Sequence, residues 1–129
     1  METIGDITVT LGDDPVAVVE IHRAPNNFFS LRMLHDLGKA FGVAADQGGR
    51  SVLLCAEGKN FCAGADFNPG GGRNQPDDPD LAGRHIYDEA VELFSCPVPV
   101  VAAVQGAAVG GGLGLACMAD FRFGTPGTR

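Results

Sequence analysis

Apolar and polar positions alternate over Ile7 to Leu11, the pattern of a half-buried strand. Gly12-Asp13-Asp14-Pro15 punctuates it as a turn, and Val16 to Ile21 reads as a second, more buried strand, so the two predict a hairpin. After the loop Arg23 to Asn27 the period changes. Leu31, Leu34, Leu37, Ala40, Phe41 and Ala44 recur at helical spacing behind Ser30, which is suited to capping, and the helix is expected to end between Asp46 and Gly49. Ser51 to Ala56 is a short apolar run, a buried strand. With one helix between strands two and three, the order is that of a ββα unit with a parallel crossover.

Beyond the turn at Glu57 to Asn60, small residues lie between two aromatics from Phe61 to Phe67. Asn68 to Pro79, rich in Gly, Pro, Asn and Asp, predicts a mobile surface loop. Asp80 is expected to cap a helix carrying Leu81, Ile86, Ala90, Val91 and Phe94, closed by Pro97. Val98 to Val104 then reads as a buried strand, Gly106 to Gly112 as a tight turn, and Leu113 to Ala119 as a buried helix. Phe121 starts one more strand. No helix follows it, and the ending at Arg129 reads as that of an N-terminal portion of a longer protein.

Strand, glycine-rich turn and helix start leave unused N–H groups at one spot, with the helix dipole behind them. Such a turn can hold an anion, or an oxygen that becomes one during a reaction. Other readings of the stretch fit less well. It carries no charge from Cys96 to Ala119, yet Pro97, Pro99 and its glycine content argue against a membrane span. No GxGxxG can be placed on it, and the chain has no GxxxxGK[ST]. A packed turn without chemistry remains an alternative.

Charge narrows the partners. A net charge of −7 disfavours nucleic acid and anionic membrane surfaces. Any anionic substrate must therefore be held by local dipoles. The acidic start shows neither a signal peptide nor a mitochondrial presequence, which predicts a cytoplasmic protein. Cys55, Cys62, Cys96 and Cys117 form no CxxC pair and have apolar neighbours, so reduced thiols and no metal are expected.

Asn60 to Asp66 (AsnPheCysAlaGlyAlaAsp) and Gly106 to Leu115 (GlyAlaAlaValGlyGlyGlyLeuGlyLeu), joined through CysProValProValValAlaAlaValGln, resemble the enoyl-CoA hydratase/isomerase (crotonase) family, as does the loop Arg23 to Ser30. The resemblance runs from about Ile7 to the last residue. It implies an α/β fold, a spiral of ββα turns here incomplete at the C-terminus, with residues 1–129 as one crotonase-like domain. It also implies an acyl-coenzyme A thioester as substrate and no separate cofactor. In the whole protein it implies a homo-oligomer, a trimer or a dimer of trimers. The family's oxyanion hole maps onto the backbone N–H groups of Ala65 and Gly111. Its substrate site maps onto Asn26, Phe28, Ala63, Asp66, Phe67, Gly110 and Gly114 as well. Asn26 and Asn27 equally suit turn chemistry, and Asp66 suits fixing its own turn.

The chain departs from the family pattern at Gly114, where hydratases of the family carry a Glu; the second family Glu would fall beyond Arg129. On the helix after Asp80, His85 and Tyr87 offer substitutes, although such residues also serve packing or the surface. His22 and His35 receive no role. The expected function is stabilisation of a thioester enolate during hydration or isomerisation. The alternatives are another reaction of the same fold, such as dehalogenation or decarboxylation, and a non-catalytic acyl-CoA-binding fragment.

Overall fold

A computed structural model describes residues 1–67 and 79–129. The expected loop Asn68–Pro79, apart from Pro79, lies outside the described residues. Six strands form one sheet in chain order: β1 (Glu2–Ile4), β2 (Ile7–Leu11), β3 (Val16–Ile21), β4 (Ser51–Ala56), β5 (Val100–Val104) and β6 (Phe121–Gly124). The first three are antiparallel neighbours; β3 to β6 are parallel. Strand β1 was not among the expected elements. Three residues are too short to show a period, and they pair through Glu2↔Val9 and Ile4↔Ile7 only because β2 offers an edge.

Helix α1 (Leu31–Asp46) begins as its spacing predicts, with Ser30 Oγ accepting from the Met33 N–H at 3.2 Å. Its buried residues, among them Met33, Leu37 and Phe41, cover the sheet face made by Ile7, Val9, Val19, Ile21, Val52 and Leu54. Alternation within each strand sends these side chains to one face. The other face shows the row Val18, Leu53, Val101 and Phe121 in direct register, with Phe121 61% exposed.

Two helices differ from expectation. Asp80 does not cap the second helix. Pro79–Leu81 forms a single 3-10 turn, and α2 (Ile86–Leu93) starts afresh at His85. The reason is local: the His85 imidazole accepts from the Tyr87 N–H, and the His85 N–H donates to the Asp88 carboxylate. Helix α3 (Gly111–Met118) starts two residues earlier than the apolar run suggests and is not buried all round. Leu115, Ala116 and Met118 are covered, while Leu113 is 55% exposed. Strand β5 starts at Val100 rather than Val98, because Pro97 and Pro99 have no N–H to give to a ladder.

Every parallel strand continues into a short segment, and these segments pair beside one another as a second layer. Residues 26–29 follow β3, 61–66 follow β4 and 105–109 follow β5. After β6 the chain returns so that Arg129 N–H donates to Gly106 O and Ala108 N–H donates to Arg129 O. Strand, second-layer segment, helix: this unit recurs from β3 to α3, the ββα spiral expected from the resemblance. No helix among the described residues is long and apolar enough to cross a membrane.

Candidate functional site

The site is the ladder of the second layer. Segment 61–66 is hydrogen-bonded on both sides. Toward 26–29, Ala63 N–H donates to Asn26 O (2.9 Å), Phe29 N–H to Gly64 O (3.0 Å) and Asp66 N–H to Phe29 O (3.2 Å). Toward 105–109, Phe61 N–H donates to Gln105 O (2.8 Å), Cys62 N–H to Ala107 O (3.1 Å), and Val109 N–H to Cys62 O (3.1 Å). Among the described residues, the N–H groups of Ala65 and Gly111 donate to no acceptor. Gly111 is the exposed first residue of α3, where helix amides have no intrahelical partner, and Ala65 is half-buried; both are in reach of an outside acceptor.

Two asparagines fix the ladder. Asn27 is fully buried with φ +49°, a left-handed conformation that Asn tolerates better than most residues. Its Nδ2 donates to Glu57 O and Asn60 O, each at 2.7 Å, while its Oδ1 accepts from the Arg23 N–H. Asn60 Nδ2 donates to Asn26 Oδ1 (2.8 Å), and Asn60 Oδ1 accepts from the Ala107 N–H (2.9 Å). All three segments are thereby tied together. Asn60 went unremarked as a functional residue in sequence, where an Asn after Gly58-Lys59 looks like turn chemistry.

The helix end is set by close contact. Gly110 has φ +58°, and α3 follows it without any side-chain cap. A Cβ at Gly111 would fall on the Phe29 ring, and one at Gly112 on the Cys62 carbonyl. Only glycine lets the first turn of α3 lie this close to segments 26–29 and 61–66. At Gly114 nothing lies within 4 Å of where a Cβ would stand.

A cavity of about 650 Å³ is lined by both Ala65 and Gly111. Ala63, Ala65, Phe67, Gly110, Gly111 and Gly114, all expected site residues, line it together. Phe29, Leu34, Ile86, Leu93, Leu115 and Met118 make its apolar wall, and His85 and Tyr87 are the lining residues with ionisable side chains. Three other expected residues stand outside the lining. Asn26 is engaged with Asn60, Phe28 is half-buried, and Asp66 lies 4.0 Å from the Arg23 guanidinium, which also meets Asp6 at 3.2 Å. No carboxylate is among the lining residues described. Burial pushes the Cys62 thiol above its ordinary range.

Chemically, the site offers two fixed donors at the positive end of a short helix, an apolar chamber, and no anionic side chain within it. Such a combination is chemically suited to an oxygen that gains negative charge.

Comparison with known proteins gives a concordant result. The family model described as enoyl-CoA hydratase/isomerase matches residues 12–125. A probable enoyl-CoA hydratase of Bacillus subtilis is 36% identical over 111 residues, 85% of this chain and 43% of that protein. An ethylmalonyl-CoA decarboxylase of Gallus gallus is 25% identical over 127 residues, 97% of this chain and 43% of its own. Among solved structures, a probable enoyl-CoA hydratase from Mycobacterium smegmatis superposes with a TM-score of 0.75 at 26% identity, covering 95% of this chain and 50% of that one. The chain thus spans half or less of the length of these relatives.

Proposed function

The chain belongs to the enoyl-CoA hydratase/isomerase family, and from that premise we propose that its cavity takes an acyl-coenzyme A thioester whose carbonyl oxygen is held by the Ala65 and Gly111 N–H groups. The single observation that carries this reading is the pair of unused amides at one cavity. A thioester carbonyl becomes an enolate when an α-proton or carbon dioxide leaves, or when water adds to the β-carbon of a 2,3-unsaturated chain. Negative charge then grows on the oxygen, and donors already in place stabilise that change without reorganising. In the whole protein the reaction is hydration or double-bond isomerisation, or another reaction through the same enolate. The thioester is the sole small-molecule requirement, and the working form is a cytoplasmic homo-oligomer.

One observation favours a second reading of the chemistry. Gly114 brings no carboxylate into the cavity, and neither does any other described lining residue. Decarboxylation of a 2-carboxyacyl thioester generates the enolate without removing a C–H proton, so it needs the amide pair but no base at that position. Under this reading the carbon–carbon bond breaks, carbon dioxide leaves, the pair of the broken bond stays behind as the enolate, and a proton from water then adds at the α-carbon.

Backbone N–H resonances test the oxygen-holding claim. Titration with butyryl-CoA is expected to shift the Ala65 and Gly111 amides. The thioether analogue S-butyl-CoA, which has no carbonyl, is expected to leave both in place. Equal shifts with the two ligands would remove the basis for an oxyanion hole. In the whole protein, Ala65→Pro deletes one donor and is expected to lower kcat by roughly 100- to 1,000-fold.

A further inference from the structure

Among the described lining side chains, the chamber is apolar except at one place on its exposed rim, where Tyr87 is 74% exposed. His85 and Tyr87 both line it, with ring centroids 5.2 Å apart and planes inclined by 27°. The two residues are also bound through the backbone. His85 Nδ1 lies 3.3 Å from the Tyr87 nitrogen and accepts its proton, and the His85 N–H donates to Asp88 Oδ2 at 2.8 Å. An imidazole nitrogen that accepts a hydrogen bond carries no proton of its own. The neutral ring therefore has its proton on Nε2. The cap selects the tautomer, and with it the role: the nitrogen left for a ligand is an N–H donor, not a base.

A few polar groups in an otherwise apolar chamber set which ligand fits. We propose that His85 is a specificity residue for the acyl part of the thioester, its Nε2–H donating to an oxygen carried on the acyl chain, with Tyr87 stacked on the imidazole to keep the ring in place. The proposal rests on the thioester reading above. It adds that an acyl chain bearing a hydroxyl or keto oxygen is preferred to the plain hydrocarbon of equal length.

The test measures dissociation constants by calorimetry for two matched pairs: butyryl-CoA against 3-hydroxybutyryl-CoA, and hexanoyl-CoA against 5-hydroxyhexanoyl-CoA. Asn is among the best N-caps, so His85→Asn keeps a cap for α2 while removing Nε2–H. The wild-type chain is expected to favour the oxygenated member of at least one pair by roughly tenfold, the worth of one good hydrogen bond. His85→Asn is expected to bring that ratio close to one. A ratio that survives His85→Asn overturns the assignment. A wild-type chain that binds both members of both pairs alike overturns it too, and leaves the thioester reading standing. Failure to bind any of the four overturns both. A second measurement needs no variant. The imidazole ¹⁵N shift of wild-type His85 Nε2 is expected to move with the preferred oxygenated ester and not with its plain partner; equal movement with both counts against the proposal.

Discussion

Helices α2 and α3 have eight residues each, and each comes after a second-layer segment, but their N-termini are built in opposite ways. That of α2 is closed. His85 accepts from the first turn, Asp88 returns to the His85 N–H, and Asp88 and Glu89 place carboxylates by the positive end of the dipole. Glu89, 2% exposed, also receives the Arg84 guanidinium and meets His35 of α1 at 3.1 Å. That of α3 is open: its N-cap is Gly110, with no side-chain hydrogen bond and no acidic residue in the first turn. A helix that caps itself has consumed the amides a ligand would use. The α3 start gives up that stabilisation, together with the lower backbone entropy that non-glycine residues would bring at positions 111, 112 and 114. What holds it instead is contact, namely Gly112 against Cys62 and the buried Leu115, Ala116 and Met118.

The largest effect is expected where that contact is tightest. Gly112→Ala puts a methyl on the Cys62 carbonyl, a backbone atom of the segment pinned by Asn27 and Asn60, so neither side can yield cheaply. Overpacking of this kind costs about 1–3 kcal/mol, and more where backbone must move. Urea unfolding is expected to show a lower midpoint at unchanged slope, a loss of unfolding free energy of that size. A midpoint equal to wild type would mean that α3 does not depend on this approach.

At the closed helix the expected effect is smaller and separable by residue. His85→Ala removes the cap and is expected to cost about 1 kcal/mol, whereas His85→Asn is expected to stay within a few tenths of wild type. Thermal unfolding of the two variants distinguishes capping from any other contribution of the imidazole. If both lose the same stability, the cap is not what His85 supplies to the fold. Gly110 has no counterpart to this substitution, since its φ of +58° makes any capping side chain strained there.

The contrast also explains which parts of the molecule were legible in sequence. Strands β2 to β4 and helix α1 bury one face along most of their length, so their periods are visible and their boundaries match. Positions 65 and 111 stand out in sequence too, because small residues flank them and the family resemblance rests on those motifs; the structure places both on one cavity. The start of α2 was not. His85 seldom caps a helix, and Asp80, a far commoner cap, stands a few residues before it. The α3 start was hidden for the opposite reason, since glycine signals a turn even where the backbone is already helical. The clamp made by Asn27 and Asn60 depends on partners 30 to 47 residues away, a relation no local pattern encodes. One fold, three levels of legibility: period shows the core, motif singles out positions 65 and 111, and only the folded structure shows what fastens the segments together.

The smallest expected effect is at Gly114. It lies within α3, lines the cavity, and has nothing within 4 Å of a new Cβ. Gly114→Ala should therefore meet no steric cost and gain helix propensity, about 0.5–1 kcal/mol in the folding equilibrium. The sign is opposite to that expected for Gly112→Ala only two residues earlier, which makes the pair a direct probe of how α3 is held. The added methyl also occupies chamber space that an acyl chain could use, so stability and binding should move apart. Unfolding is expected to shift to higher urea, while butyryl-CoA binding stays near wild type and hexanoyl-CoA binding weakens. A Gly114→Ala chain less stable than wild type would show that position 114 is crowded, and that the open side of α3 has been drawn wrongly.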